Sequence, residues 1–102
     1  MSDLKCKCGH IITDGTDNLP YKGEVISDQD WEAVWGAISE LRQSSSDTCC
    51  DAITGIRIAH GRDIYECLRC GRLWVECEPG ANEFVSFSPD TPVRNILRGK
   101  QA

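Results

Sequence analysis

Four cysteines in two short loops are the residues of this sequence with the clearest chemistry. They are Cys6, Cys8, Cys67 and Cys70. Thiolates one or two residues apart on a tight turn can both point at one metal ion, and four thiolates satisfy the tetrahedral preference of zinc. The pattern therefore predicts one structural metal ion held by these four residues, zinc in preference to iron.

A glycine directly follows each cysteine pair. Gly9 follows Cys8, and Gly71 follows Cys70. A loop that wraps around a metal needs a positive φ angle at this point, while its backbone amides approach the sulfurs as hydrogen-bond donors. Two loops that both end in Cys-Gly argue against free cysteines that merely fill a core.

The first cysteine pair departs from the usual spacing. One residue separates Cys6 from Cys8, whereas two separate Cys67 from Cys70. The shorter spacing could weaken the chelate, and His10 then offers a substitute ligand for Cys6 or Cys8. Both ligand sets remain open at this point.

The two loops resemble those of the zinc ribbon, a rubredoxin-like family in which two metal-binding loops are carried on β-hairpins. The resemblance rests on the segments Cys6-Lys7-Cys8-Gly9 and Cys67-Leu68-Arg69-Cys70-Gly71-Arg72-Leu73. It implies a structural metal, antiparallel strands leaving the second loop, and a binding function decided outside the loops. The long insertion between the loops is not part of the family pattern.

Three further cysteines have weaker claims to chemistry: Cys49, Cys50 and Cys77. With His60 they could form a second metal site, but adjacent cysteines rarely supply two ligands to one ion. A redox role for the adjacent pair needs a lowered thiol pKa, which nearby acidic residues oppose. Cys77 alternates in phase with Leu73 and Val75, so we expect it to pack in the core.

An amphipathic helix over residues 28–43 is the clearest secondary-structure pattern. Ser27 can accept a hydrogen bond from the amide of Asp30, and acidic residues favour the positive end of the helix dipole. Apolar side chains then recur with a period of 3.6 residues: Trp31, Val34, Trp35, Ile38 and Leu41. We expect this stripe, including both tryptophans, to face the core.

Runs of β-favouring residues predict a three-stranded antiparallel sheet that carries the second cysteine loop. The runs cover residues 64–67, 73–77 and 84–87, and residues 79–82 connect the last two. An extended arm is predicted at residues 24–26, after Pro20.

The C-terminal segment predicts a short helix that begins near Asp90 and ends at Gly99. The chain is therefore expected to be one metal-stabilised α+β domain over residues 1–102. Its parts are a small antiparallel sheet like that of a zinc ribbon, a helix at about 28–43 inserted between the metal loops, and the short C-terminal helix.

Charge and composition restrict the possible functions. The 102 residues carry a formal net charge of -5, and residues 28–51 hold six acidic residues and one arginine. Because phosphate binding depends on clustered lysines and arginines, this balance argues against nucleic acid and favours a basic protein partner. We predict a non-enzymatic protein-binding module, for example an acidic inhibitor of the bacterial immunity or antitoxin type.

Two other functions stay open as alternatives. A nucleic-acid-binding zinc ribbon could use a local basic patch formed by four arginines: Arg57, Arg62, Arg69 and Arg72. A rubredoxin-like electron carrier would need iron and, by resemblance, two-residue spacing in both loops. Catalysis has the least support because four thiolates leave no open coordination position on the metal.

The sequence contains no apolar run of the length found in signal peptides or membrane spans. We therefore expect a cytoplasmic protein without membrane association. In that compartment a high cysteine content indicates metal binding rather than disulfides.

Overall fold

The computed structural model describes residues 3–16, 18–43, 55–56, 59–91 and 95–100, with side chains omitted at 41–43. Within these ranges six strands and a 13-residue α-helix form an α+β fold, which confirms the predicted fold class. None of the helical segments described has the length and apolar character that crossing a bilayer requires.

A small hairpin carries the first cysteine loop. Strand β1 (Asp3–Lys5) pairs antiparallel with β2 (Ile11–Thr13), and Leu4 lies opposite Ile12. Ile12 is only 2% exposed because it packs into the core of the larger sheet. The hairpin is therefore fixed to that sheet by its apolar face.

The larger sheet has four strands among the described residues: β3 (Lys22–Ile26), β4 (Gly61–Glu66), β5 (Leu73–Glu76) and β6 (Phe84–Phe87). They pair antiparallel in the order β3-β4-β5-β6. The predicted extended arm is thus a strand, since each residue from Lys22 to Ile26 pairs with a residue of β4. The second cysteine loop connects β4 to β5.

One face of this sheet forms the core beneath the hairpin. Tyr65 and Trp74 are cross-strand partners and share this face. Together with one hairpin residue and two of the cysteines they make the buried cluster: Cys6, Ile12, Tyr65, Cys67 and Trp74. Cysteines 8 and 70 pack against its edge.

The prediction that Cys77 lies in the core is wrong. The buried side chains of β5 are Trp74 and Glu76, and Cys77, the next residue, is exposed. The strand alternates as predicted, but the face that carries the large indole is the buried one. Glu76 is tolerated there because its carboxylate accepts hydrogen bonds from the amides of Asp63 (3.0 Å) and Asn82 (2.8 Å).

The inserted helix begins later than predicted. Residues Asp28–Asp30 form a 3-10 turn, and helix α1 runs over Trp31–Gln43. Ser27 caps the 3-10 turn, because its hydroxyl accepts from the amide of Gln29 at 3.3 Å and its carbonyl from the amide of Asp30 at 2.9 Å.

The prediction that both tryptophans of this helix face the core is also wrong. Trp31 is 38% and Trp35 57% exposed, whereas Val34 is 3% exposed. The helix packs through a narrower face around Val34. The two indoles lie one turn apart and stack on each other, which shelters part of their apolar area.

The described part of the C-terminal segment, residues 95–100, forms a turn rather than the predicted helix, and residues 92–94 lie outside the described ranges. Asn95 has a φ angle of 65°, which is incompatible with a continuing helix. The amide of Leu97 donates to Glu66, whose side chain is fully buried. This bond ties the segment to the end of β4.

Candidate metal centre

The two loops bring the sulfurs of all four predicted cysteines together. The Sγ atoms of Cys6 and Cys70 are 3.6 Å apart, those of Cys8 and Cys67 are 3.5 Å apart, and the four lie within 4.8 Å of one another. Zinc–sulfur bonds of about 2.3 Å in a regular tetrahedron place the sulfurs roughly 3.8 Å apart. The cluster can therefore hold one metal ion after small side-chain adjustments.

Backbone hydrogen bonds give the two loops the same shape. In the first loop the Gly9 amide donates to the Cys6 carbonyl (2.9 Å), and the Cys6 amide donates to the His10 carbonyl (2.8 Å). In the second, the Gly71 amide donates to the Cys67 carbonyl (2.7 Å), and the Cys67 amide donates to the carbonyl of Arg72 (2.9 Å). The first loop is the same turn shortened by one residue.

Both turns depend on a glycine in the left-handed region. The φ angle is 97° at Gly9 and 82° at Gly71. A side chain in this conformation crowds its own backbone, so glycine is the residue that closes each loop without strain. The one-residue spacing of the first pair is therefore compatible with ligation of a shared ion.

The acidities of the two buried thiols differ strongly in the absence of a cation. Burial raises the pKa of Cys67 to about 12, although the amides of Cys70 and Arg69 act in the opposite direction. Burial also acts to raise the pKa of Cys6, but hydrogen bonds, first from the Cys8 amide, lower it to about 6. A bound metal dication would supply the charge that keeps both sulfurs ionised.

Trp74 adds a donor to this centre. Its indole N–H is buried and makes no hydrogen bond within the described part of the structure, but it lies close enough to the sulfur of Cys6 to contribute to the lowered pKa of that thiol. A metal-bound thiolate is a better acceptor than a neutral thiol. The orphaned indole N–H therefore fits an anionic sulfur beside it.

The family model described as Domain of unknown function (DUF8617) matches residues 2–91. The chain belongs to this family. The DUF8617 match includes both cysteine loops, all six strands and helix α1. No curated protein and no solved structure matches the chain.

Three other candidate ligands of this DUF8617 chain, His10, His60 and Cys77, lie in the described residues and do not join the cluster. Among the described residues, the group that could hold a metal consists of the four cysteines alone. His10 is half-buried, and its backbone carbonyl accepts the hydrogen bond from the Cys6 amide. His60 Nδ1 lies 3.8 Å from Asp30 Oδ1. Cys77 is exposed, while Cys49 and Cys50 lie outside the described ranges.

Trp74 is the residue of the DUF8617 centre that the sequence patterns miss. They place it in a strand, which is confirmed, but they assign the buried face of that strand to Leu73 and Val75, whereas Trp74 is the buried residue. Its position four residues after Cys70 carries information only when the first loop is known to fold onto β5. That contact joins distant parts of the chain, so no local pattern encodes it.

Proposed function

We propose that this chain is a non-enzymatic protein-binding module whose fold is stabilised by one structural zinc ion. The observation that carries the proposal is a group of four sulfurs whose mutual distances suit a tetrahedral metal site. The two loops that hold them have equivalent backbone hydrogen bonds. Four thiolates in such loops are a ligand set that suits zinc well and leaves it closed to substrate. The loops support the zinc-ribbon resemblance at this level.

A structural role follows from where the ligands lie. Two of the five residues in the buried cluster are the cysteines Cys6 and Cys67, which are 2% and 0% exposed. The metal would therefore occupy the place where the hairpin meets the sheet. Because a core this small supplies little hydrophobic stabilisation, removal of the ion should unfold the domain.

Catalysis by the metal has no support in this geometry. A four-thiolate site has no coordination position for water or substrate. The cavity of about 680 Å³ between parts of residues 16–24 and 97–100 is lined by none of the four cysteines. These features favour a binding function.

One arginine of the basic patch considered for nucleic-acid binding is hydrogen-bonded within the fold. Arg62 donates through Nε to the carbonyl of Cys77, and Arg57 lies outside the described ranges. Four thiolates around a dication carry a net charge of about -2, which the exposed loop residues Lys7 and Arg69 would offset. An acidic inhibitor of a basic protein, of the immunity or antitoxin type, is one function consistent with this charge distribution.

Elemental analysis of the native protein, with a thiol count before and after chelation, tests the proposal. We expect one zinc per chain, four thiols protected from reagent, and loss of the folded circular-dichroism spectrum on chelation. The Cys67→Ser variant should lose both the zinc ion and the folded structure. The control variant Cys77→Ser should keep both, because Cys77 is exposed and lies outside the cluster. Bound iron would favour the electron carrier, and absence of any metal would contradict the proposal.

A further inference from the structure

Helix α1 displays an aromatic pair to solvent. The ring centroids of Trp31 and Trp35 are 6.0 Å apart with an interplanar angle of 26°, and the side chains are 38% and 57% exposed. Val34, at one edge of the apolar stripe, is the residue of this helix that is buried, so the described part of the fold leaves the two indoles largely free of packing. Stacked, exposed indoles are characteristic of binding surfaces, where tryptophan is enriched among the residues that dominate affinity.

The charge around the pair identifies the chemistry of a partner. Between residues 28 and 40 the sequence has four acidic residues and no lysine, arginine or histidine. Asp28 and Glu32 are both exposed. Glu32 precedes Trp35 by three residues, so the two side chains are neighbours on the helix surface. This surface combines π faces with carboxylates, and both attract a cation.

Gly36 supplies an independent observation on the same helix. A glycine inside a helix lowers its stability, and a Cβ added at Gly36 would meet no atom within 4 Å. Nothing within the described protein therefore requires glycine there. The missing side chain at Gly36 leaves the helix backbone and one side of Trp35 accessible to a binding partner.

We propose that Trp31 and Trp35, with Asp28 and Glu32, bind a basic segment of a partner protein. An arginine side chain of the partner stacks on the open face of Trp35, and Asp28 and Glu32 pair with its neighbouring cations. This inference rests on the proposed function, since it names the surface and the partner class of the same binding module. Val85 and Phe87 on β6 are also exposed, but the residues directly opposite them on β5 are the apolar Val75 and Leu73, which specify no charged occupant.

The probe is a fluorescein-labelled nona-arginine peptide, titrated with the zinc-loaded full chain at low ionic strength and followed by fluorescence anisotropy. We expect saturable binding of one peptide per chain. Trp35→Ala and Glu32→Lys should each weaken it by at least about five-fold. Phe87→Ala is the matched control, because Phe87 is 59% exposed and lies on a different element. It should leave the affinity unchanged.

Each of three results would overturn the inference. One is absence of peptide binding by the zinc-loaded protein. Another is binding that Trp35→Ala and Phe87→Ala affect equally, which indicates unspecific attraction to an acidic protein. Preferential binding of a labelled single-stranded DNA, lost in Trp35→Ala, would also overturn it. Zinc content measured on every sample separates the two hypotheses, since a chain without zinc refutes the proposed function whatever the peptide does.

Discussion

The hydroxyl of Tyr65 donates a hydrogen bond of 2.5 Å to Oδ2 of Asp14, joining β4 to the turn that follows the N-terminal hairpin. Lys22 donates to the same oxygen at 2.8 Å. Burial alone would raise the Asp14 pKa, but these two donors from the large sheet lower it below its usual 3.8. The hairpin is therefore fixed to the sheet at Asp14 as well as at the cysteines.

Loss of this hydroxyl should destabilise the zinc-loaded protein. Tyr65→Phe keeps the buried ring and removes only the bond to a charged acceptor, so we expect a loss of about 1.5–3 kcal/mol in the free energy of unfolding. Tyr21→Phe is the control, because the exposed Tyr21 hydroxyl donates to the Thr13 carbonyl and should contribute less. Urea denaturation measures both, and equal losses would refute a special role for the Asp14 contact.

The ionised carboxylate of Asp63 should lower the free energy of unfolding at neutral pH. Burial first, and then the nearby Glu76 and Glu24, raise its pKa, while Lys22 acts in the opposite direction. A raised folded-state pKa means that the cost is present above that pKa and disappears below the unfolded value near 3.8. Asp63→Asn should therefore increase the urea midpoint at pH 8, and the increase should become smaller as the pH falls toward 3.8. A gain that stays constant or grows as the pH falls toward 3.8 would contradict this sign.

Alanine at two open glycines should have opposite effects. At both Gly9 and Gly36 an added methyl group would have no neighbouring atom within 4 Å, but Gly9 has a φ angle of 97° and Gly36 lies within α1. Gly9→Ala should cost about 1–2 kcal/mol, whereas Gly36→Ala should add up to about 1 kcal/mol. Thermal unfolding of the zinc-loaded variants gives both values. Stabilisation by Gly9→Ala would refute the left-handed turn.

Removal of the indole donor should weaken zinc binding. Trp74→Phe retains an aromatic ring in the core but loses the N–H that acts on Cys6, and donors to a metal ligand change metal affinity by about 10–100-fold. Competition with a chromophoric zinc chelator measures the affinity. Trp35→Phe is the control, since Trp35 lies outside the cluster and is 57% exposed. Equal zinc affinities for the two variants would refute a contribution of the Trp74 N–H to the metal centre.

The parts of this structure that short-range patterns encode can be predicted from the sequence. The cysteine loops are set by spacing and by the glycines, and β5 and β6 follow from runs of β-favouring residues. Strand β3 is harder to predict, because Gly23 weakens its pattern and the strand is stabilised by pairing with the distant β4. A side chain at Gly23 would also crowd Ile64, at 3.3 Å, which only the folded sheet reveals.

Which face of an element is buried cannot be derived locally. The alternation in β5 is visible in the sequence, but the burial of Glu76 depends on amide partners, at Asp63 and Asn82, that come from other segments. The apolar stripe of α1 is equally visible, yet its wide arc allows the helix to bury Val34 and leave Trp35 outside. In both elements the periodicity of the sequence shows which residues share a face, but tertiary packing determines which face is buried.

X-ray absorption at the zinc edge of the native protein tests the four-cysteine centre most directly. We predict one zinc per chain with four sulfur neighbours at about 2.3 Å and no nitrogen among its ligands. Loss of zinc from Cys8→Ser, with the signal of His10→Ala unchanged, would assign the shorter loop to the centre. Three sulfurs and one nitrogen in the native protein, or no bound zinc, would contradict it.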